Sequence, residues 1–338
     1  MKDKSKMKNL LSAAAPSGEL TLGNYLGAIK KWTEMQNQYN CFFPVVNQHV
    51  ITVKQDPNIL KKRTLDFFAQ YIACGIDPQK SKLFIQSHVS AHAELCWLLN
   101  CFTYFGELKR MTQFKSKSDL HSDNINVGLF DYPVLMVADI LLYNTDMVPI
   151  GADQKQHLEL ARNIANRFNQ TFGDVFKIPD YSIPKIGARI MSLQEPTKKM
   201  SKSDSNMNNK ILIIEEDVNI VSKIKKAVTD NVGIIKYDTN RPGITNLVDI
   251  MSSCTGETIQ NIEDKYINKG YGIFKKDVAD AVISTLTPIR EEYKKIRQDE
   301  NYLLTLAETG AQKASILADA TLYKVYDAVG FINKRLSI

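Results

Sequence analysis

The sequence lacks any long apolar segment. No run of about 18 consecutive apolar residues, the length that a membrane-spanning helix needs, occurs in its 338 residues. The N-terminus is basic, and the apolar stretch that follows, residues 10–15, is shorter than the apolar core of a signal peptide and runs into a glycine-containing turn. We therefore expect neither a membrane protein nor a secreted one.

The sequence also lacks the cysteine spacing of a zinc site or a redox motif. Its five cysteines form no Cys-x-x-Cys pair, their number is odd and their neighbours are apolar. This pattern predicts buried, reduced thiols in a cytoplasmic protein. The cysteines are Cys41, Cys74, Cys96, Cys101 and Cys254.

The composition is that of an ordinary globular chain, with 44% apolar and 24% charged residues, and no internal repeat or low-complexity segment is present. The net charge of +6 permits an anionic partner without requiring one. The length allows two domains.

The first half of the chain alternates strand-like and helix-like segments. Continuous apolar runs predict strands buried on both faces, as in a parallel sheet, and the segments between them have apolar residues at helical spacing. The alternation predicts an α/β domain. The predicted strands are 10–14, 41–46, 82–86 and 148–150, and the predicted helices are about 24–36, 57–74, 92–102, 133–143 and 151–168.

After residue 209 strand-like runs become scarce and helical patterns dominate. Several of these helices are rich in lysine on one side, for example at Lys223, Lys225 and Lys226. The pattern predicts a second, α-helical domain. Its predicted helices are 217–227, 246–253, 258–265, 274–285, 288–306 and 311–329.

Two segments have the character of phosphate-binding sites. Gly23 and Asn24 lie at the start of a predicted helix, where free backbone N–H groups can face an anion. Lys199 and Lys202 lie in a polar segment, 196–209, and two ammonium groups so close together suit a polyanion. For the second segment a solvated basic loop is the alternative interpretation.

A single carboxylate, Asp139, lies inside an apolar helical run. Such a charge is costly to bury unless it is paired, so Asp139 either faces outward or is the one acceptor at the bottom of a pocket. Asn47, Gln48 and His49 follow the second predicted strand, at the edge where open α/β sheets bind ligands. We interpret this edge as the candidate ligand site.

At these positions the chain resembles the class I aminoacyl-tRNA synthetases, and among them the bacterial-type tryptophanyl-tRNA synthetases. Residues 21–24, Thr-Leu-Gly-Asn, resemble the first class I signature, and residues 199–203, Lys-Met-Ser-Lys-Ser, match the second letter for letter. The resemblance extends over nearly the whole chain from residue 10. Shorter segments similar to those of the tryptophan enzymes are 106–108, 111–115, 138–143 and 153–160.

The resemblance implies a Rossmann-like catalytic domain and a reaction in two steps. The carboxylate of L-tryptophan attacks the α-phosphorus of ATP to give tryptophanyl-adenylate and pyrophosphate. The acyl group then passes to the 3′-terminal adenosine of tRNA(Trp). Catalysis consists of positioning and stabilisation of charge on phosphate oxygens. ATP is a substrate that enters with Mg²⁺, without a dedicated protein site for the metal.

The residues that match the family's motifs are implied to form three sets. An indole offers one N–H donor and a large apolar surface, so Asp139 is its candidate acceptor. The implied catalytic residues are Lys199, Ser201 and Lys202. The implied ATP-binding residues are Ala15, Pro16, Ser17, Gly23, Asn24, Gly151, Ala152, Asp153, Ile190, Lys199, Met200, Ser201, Lys202 and Ser203. The implied tryptophan-binding residues are Asp139, Tyr132, Met136, Ile140, His49, Val148, Ile150 and Gln154.

The resemblance also implies a domain organisation and a homodimer, with residues 91–105 as a candidate interface. The expected units are a catalytic domain, 1–195, with an insertion at about 105–128; the signature loop, 196–209; a helical anticodon-binding domain, 210–301; and a C-terminal helix, 302–338, that packs back on the catalytic domain.

Four positions at or near the implied active site depart from the family's pattern. Ala13 replaces a usual Gly, Ala15 a Gln, Asn47 an Asp and Ala152 a Glu. Two interpretations stay open: an enzyme whose activity is retained or reduced, and an inactive paralogue that still binds nucleotide or tRNA. A tyrosyl-tRNA synthetase shares the fold and both signatures. It is disfavoured because Asp139 has methionine and aliphatic neighbours rather than a tyrosine partner.

Overall fold

Five short parallel strands form the sheet around which the chain is built. The structure is a computed structural model that describes residues 7–114, 125–151, 154–182 and 189–332. The strands are β1 (Asn9–Leu11), β2 (Asn40–Val45), β3 (Lys82–Ile85), β4 (Met147–Pro149) and β5 (Asp180–Ser182). Their order is β3-β2-β1-β4-β5, and each neighbouring pair is parallel. This order confirms the predicted α/β, Rossmann-like fold.

Helices connect the strands and make up most of the chain after residue 209. A π-helical turn, Tyr25–Ile29, joins the first two helices of the chain. Within the described ranges no helix combines the length and apolarity needed to cross a membrane. The helices are α1 (Leu22–Asn24), α2 (Lys30–Met35), α3 (Pro57–Ala73), α4 (Ala91–Asn100), α5 (Phe105–Lys109), α6 (Val127–Leu141), α7 (Lys155–Phe172), α8 (Asp217–Lys226), α9 (Pro242–Thr255), α10 (Ile259–Lys265), α11 (Tyr271–Arg297) and α12 (Glu300–Val329).

Alternate residues of the interior strand β2 face two separate cores. Cys41 and Phe43 belong to a core that includes α3 and continues into the helical region, whereas Phe42 packs with α4, α6 and α7. Burial on both faces explains the continuous apolar run in this strand. β1 pairs with β2 on one side and with β4 on the other, so the strand order reverses there. Such a reversal opens a ligand crevice at the carboxyl edge of the sheet.

Two parts of the pattern were predicted wrongly. Strand β5 was missed, because it has three residues and two of them, Asp180 and Ser182, are polar. The break predicted between 285 and 288 is absent, and α12 is one helix of 30 residues rather than parts of two. The predicted insertion lies partly outside the described residues, at 115–124.

Helix α11 continues through Pro288 because packing outweighs local propensity. A proline inside a helix removes one backbone hydrogen bond and costs roughly 3 kcal/mol. Leu286 and Ile289, on either side of it, are buried in the same core. In the turn before the proline, the hydroxyl of Thr287 also donates to the carbonyl of Ile283 at 2.9 Å.

Helix α12 lies directly against the edge strand β3. A Cβ atom built on Gly310 would lie 1.8 Å from the carbonyl oxygen of Leu83, far inside contact distance. Ala311, Ala314 and Ala318 extend this line of small residues and are buried. The backbone of α12 therefore approaches the sheet as closely as a residue without a side chain allows.

Gly310→Ala is expected to destabilise the fold by about 2 kcal/mol, because the added methyl group displaces α12 from β3. This loss outweighs the gain of about 1 kcal/mol in helix propensity. Unfolding in urea measures the difference. Gly272→Ala in α11 is the matched control, since apart from its chain neighbours and the nearby backbone of its own helix no described heavy atom lies within 4 Å of the added Cβ there. Equal stability of the two variants would contradict the close contact.

Candidate active site

The carboxylate of Asp139 is surrounded by hydrogen-bond donors at the carboxyl edge of the sheet. Its Oδ1 accepts from Gln86 Nε2 at 2.7 Å and from His92 Nδ1 at 2.6 Å, and its Oδ2 lies 2.8 Å from His49 Nε2. The side chain is almost completely buried. The charge inside the apolar helix is therefore paired, as its burial requires.

These donors keep Asp139 ionised. Burial by itself would raise the pKa of the carboxyl, but the charges and hydrogen bonds of His49 and then His92 outweigh it and hold the pKa well below its usual range. A carboxylate has about two acceptor positions on each oxygen. Both positions on Oδ1 are used, whereas among the residues that the structure describes Oδ2 has His49 alone and retains one position.

Gln86 and His92 are functional candidates that the sequence analysis missed, although a signal for them was present. Gln86 directly follows β3, and His92 is the second residue of α4. Both thus follow a parallel strand at its carboxyl end, the same position that singled out His49. Two polar residues after an apolar strand indicate that β3, like β2, supplies side chains to the site at this edge of the sheet.

The predicted tryptophan-binding residues fall into two groups. Tyr132, Met136 and Asp139 share one face of α6, and the Tyr132 ring lies edge-on to His49 with centroids 6.3 Å apart. The Tyr132 hydroxyl lies 3.3 Å from His157 Nε2, a contact that was not predicted. The remaining residues belong to the surroundings: Ile140, Val148 and Ile150 are buried in the core shared with α4 and α7, and Gln154 is partly buried before α7.

The turn before α1 is held by its own side chains and by the chain after residue 209. Thr21 caps α1, and Asn24 Oδ1 accepts from the backbone N–H of Thr21 at 3.0 Å. The N–H of Leu22 donates to the carbonyl of Ile211 at 2.8 Å. The first-turn amides predicted to face an anion are thus partly used. Asn24 contributes its oxygen to the cap, which leaves Nδ2 as the donor of this side chain.

Gly23 is where α1 meets the signature loop. A Cβ on Gly23 would lie 3.3 Å from the Cβ of Met200 and 3.6 Å from the Cβ of Ile190. Met200 and Ile190 are both buried, and the N–H of Met200 donates to the carbonyl of Ile190 at 3.0 Å. The structure therefore brings together the two signatures, which lie about half the chain apart.

The signature loop is anchored rather than free, with its two lysines in different surroundings. Lys199 is exposed, and the Oγ atoms of Ser201 and Ser203 lie 3.1 Å apart. Lys202 Nζ donates to the carbonyl of Ala15 at 2.6 Å. Burial, with the nearby charge of Lys199, lowers the pKa of Lys202 to about 8.

A cavity of about 390 Å³ lies beside the loop and brings together Ser17, Lys202 and Ser203. Lys62 and Arg63 of α3 also line it and were not predicted. Pro16 is buried next to Ser17, and Gly151 is exposed after β4. The predicted ATP-binding residues Ala152 and Asp153 lie outside the described residues.

The departure at Asn47 has a structural partner. Asn47 Nδ2 donates to Ser87 Oγ at 2.8 Å, and Asn47 Oδ1 accepts from the Ser87 N–H at 3.1 Å, so the ends of β2 and β3 are joined. An aspartate could accept from the same two groups of Ser87. Asn47 therefore keeps the link to Ser87 that the family's aspartate could make.

Comparison with known proteins agrees with this geometry. The profile of the class I tRNA synthetases (W and Y) matches residues 3–287. A tryptophan--tRNA ligase of Clostridium tetani (strain Massachusetts / E88) is 54% identical over 325 residues, which is 96% of each chain.

Two solved structures are also similar over nearly their whole length. The tryptophanyl-tRNA synthetase of Mycoplasma pneumoniae has 35% identity and a TM-score of 0.88, covering 96% of this chain and 98% of that one. The tryptophanyl-tRNA synthetase of Campylobacter jejuni, complexed with ADP and tryptophan, has 33% identity and a TM-score of 0.82, covering 96% and 100%. The chain therefore belongs to the class I tRNA synthetases of the tryptophan and tyrosine type.

Proposed function

We propose that this chain activates L-tryptophan with ATP and transfers the tryptophanyl group to tRNA(Trp). The observation that carries the proposal is the fixed, ionised carboxylate of Asp139, whose Oδ2 retains one acceptor position after its contacts with the described residues are counted. That oxygen is on the side of His49, whose side chain is 13% exposed, whereas His92 behind Oδ1 is fully buried. A single acceptor on the open side fits the single N–H donor of an indole.

The reaction needs no protein nucleophile. The substrate carboxylate forms a bond to the α-phosphorus of ATP, and the bond from that phosphorus to the bridging oxygen of pyrophosphate breaks. In this proposal Lys199 and Lys202 neutralise the charge that develops on the leaving group. ATP enters with its Mg²⁺. Asn24 Nδ2 and the loop hydroxyls of Ser201 and Ser203 hold the nucleotide. Lys202 must exchange the Ala15 carbonyl for a phosphate oxygen to take part.

Pyrophosphate exchange tests this function directly. Labelled pyrophosphate should enter ATP when tryptophan is added, and tyrosine or phenylalanine should give no comparable rate. A pocket built to accept a hydrogen bond rejects an amino acid that leaves the acceptor unpaired. Exchange with tyrosine would instead favour the tyrosine enzyme. No exchange with either amino acid, together with tRNA binding, would favour the inactive paralogue.

The helical region after residue 209 is the proposed anticodon-binding part, and tRNA charging of this kind belongs in the cytoplasm. Lys225 and Lys226 are exposed on α8 and suit phosphate contacts, which position RNA without reading its sequence. Lys223 does not fit this role, because it is buried and its ammonium lies 2.6 Å from the Glu215 carboxylate. Lys223 is three residues after the buried Ile220, so helical spacing places it on the inward face of α8.

A homodimer is proposed from the apolar surface of α4 and α5. Trp97 and Phe105 are each 70% exposed, and Tyr104 is 63% exposed. Several exposed aromatic side chains of this size within ten residues are rarely left in water. We expect Trp97→Glu to shift the sedimentation coefficient from that of a dimer to that of a monomer, because a carboxylate would enter the apolar contact. Ile316→Glu on α12, where a 76% exposed side chain lies in another element, is the control. A monomeric unaltered protein would contradict this interface.

The departure at Ala15 gives a prediction about rate. Its carbonyl accepts from Lys202, and the family's glutamine would add an amide beside the predicted nucleotide and tryptophan sites. Ala15→Gln should raise the exchange rate by a few fold up to about tenfold, the effect of one additional hydrogen bond. Asn47→Asp is the control, expected to change the rate little because Ser87 can serve either residue. An unchanged rate in Ala15→Gln would mean that this position does not limit the protein.

A further inference from the structure

A buried chain of hydrogen bonds lies behind Asp139. The Tyr143 hydroxyl oxygen is 2.7 Å from His92 Nε2, and His92 Nδ1 is 2.6 Å from Asp139 Oδ1. His92 and Tyr143 are fully buried, and the reaction proposed above gives neither of them a role. In a buried site, such a chain can orient one group through another.

Donor and acceptor chemistry assigns the protons along this chain. The ionised Asp139 can only accept, so the hydrogen of the pair is on His92 Nδ1. Burial, to which the charges of Asp139 and Asp319 add, raises the pKa of Tyr143 well above its usual value, and the hydroxyl keeps its proton. That hydroxyl can donate to Nε2 of a neutral imidazole or accept from the N–H of an imidazolium, and in both cases His92 Nδ1–H faces Asp139. The contact with Tyr143 therefore holds the ring in the orientation that donates to Asp139.

Gln86 holds the same carboxylate oxygen from a second direction. The backbone N–H of Gln48, which can only donate, lies 3.1 Å from Gln86 Oε1. The orientation of the amide is thus fixed with Nε2 towards Asp139. With His92 and Gln86 both on Oδ1, the carboxylate cannot rotate without breaking two hydrogen bonds. The lone pair of Oδ2 that remains for a ligand therefore points in one fixed direction.

We propose that His92, oriented by Tyr143, is a positioning residue that sets the preference of this site for a substrate with a ring N–H. The inference rests on the proposed binding of tryptophan through Asp139. Without the imidazole donor the carboxylate rotates and accepts water, so a ring N–H gains less from it. The preference for indole over a ring of the same shape without N–H then falls.

A role in packing alone has a different consequence. The His92 ring lies between Phe84 and Tyr143, with centroid distances of 6.1 and 5.5 Å. If His92 only fills this space, its replacement lowers the melting temperature and weakens both ligands equally. The ratio between two ligands that differ in the ring N–H therefore separates positioning from packing.

The test compares tryptophan with its benzothiophene analogue, in which sulfur replaces the ring N–H, by kcat/KM in pyrophosphate exchange. His92→Leu is expected to lower the tryptophan-to-analogue ratio about tenfold, the effect of one misplaced hydrogen bond. His92→Asn should restore most of the ratio, because its amide nitrogen can occupy the place of Nδ1. Tyr143→Phe removes one oxygen atom and should lower the ratio about threefold.

Tyr266→Phe is the matched control, since its buried ring carries a hydroxyl that donates to Asp277 at 2.7 Å in the helical region. It should lower stability and leave the ratio unchanged. An unaltered ratio in both His92→Leu and Tyr143→Phe would overturn the proposal. If His92→Leu does not fold, Tyr143→Phe decides alone.

Failure of the proposed function is recognised separately, in the unaltered protein. If that protein shows no exchange, calorimetric binding of tryptophan and its analogue replaces kcat/KM. The same fall in the ratio of their affinities is expected in Tyr143→Phe, and an unchanged ratio would again overturn the proposal.

Discussion

Asp139→Ala should raise the KM for tryptophan in pyrophosphate exchange by roughly 100-fold, equivalent to about 3 kcal/mol of binding free energy. The substitution removes the acceptor for the indole N–H. It also leaves the donors of Gln86, His92 and His49 facing a space without an acceptor, which is costly in a buried site. The KM for ATP should change much less, because the loop that carries Lys199 and Lys202 does not contact this carboxylate.

Asp131→Asn is the matched control for this substitution. Asp131 is on the same helix, and its Oδ2 accepts from Asn100 at 2.9 Å rather than from a histidine. The KM of the Asp131→Asn variant for tryptophan should equal that of the unaltered protein. A thermal melt of each variant shows whether the fold is retained. Tryptophan kinetics that do not change in Asp139→Ala would contradict the assignment of the pocket.

Lys202→Ala should lower the exchange rate by roughly 100- to 1,000-fold, the usual effect of removing one group that stabilises transition-state charge. The side chain lies between the Ala15 carbonyl and the Phe67 ring, whose centroid is 4.9 Å from Nζ. Lys198→Ala is the control within the same segment, because Lys198 is exposed and pairs with Glu195. A similar rate in the two variants would contradict a catalytic role for Lys202.

The same lysine predicts a dependence on pH. Only its protonated form carries the charge that a phosphate needs, and its pKa is lowered to about 8 by burial and by Lys199. The kcat/KM for ATP, which reports the free enzyme, should therefore fall as pH rises through about 8. Lys202→Arg should move this fall to higher pH, because a guanidinium stays charged. A fall that does not move in Lys202→Arg would assign the titration to another group.

Much of the fold followed from periodicity, because the strands and most helices are amphipathic or fully buried. Strand β2 and helix α3 agree with their predicted bounds to within about one residue, as their continuous apolar runs and the proline at the start of α3 suggest. The errors lie where tertiary packing outweighs a local signal. Pro288 within α11 is one such case, and the short polar strand β5 is the other.

The candidate site was predictable as a set of positions but not as a set of contacts. The end of β2 and the run around Asp139 both pointed to the edge of the sheet where the structure brings His49 and Asp139 together. Nothing in the spacing could show that Lys202 is held by the carbonyl of residue 15, because a backbone acceptor has no residue type. For the same reason the role of Asn47 as a bridge to Ser87 became visible only when the ends of two strands were placed side by side.

The contact between Gly310 and β3 also bears on the order in which the chain can fold during synthesis. β3 is an edge strand, and an uncovered edge invites pairing with another chain. The segment that covers it is α12, which is about 45 Å long at 1.5 Å per residue. It leaves the ribosome after the sheet and after helices α8 to α11. Until then the nascent chain has an open edge at Lys82–Ile85, so a helix that is made well after the sheet is the one that protects it from self-association.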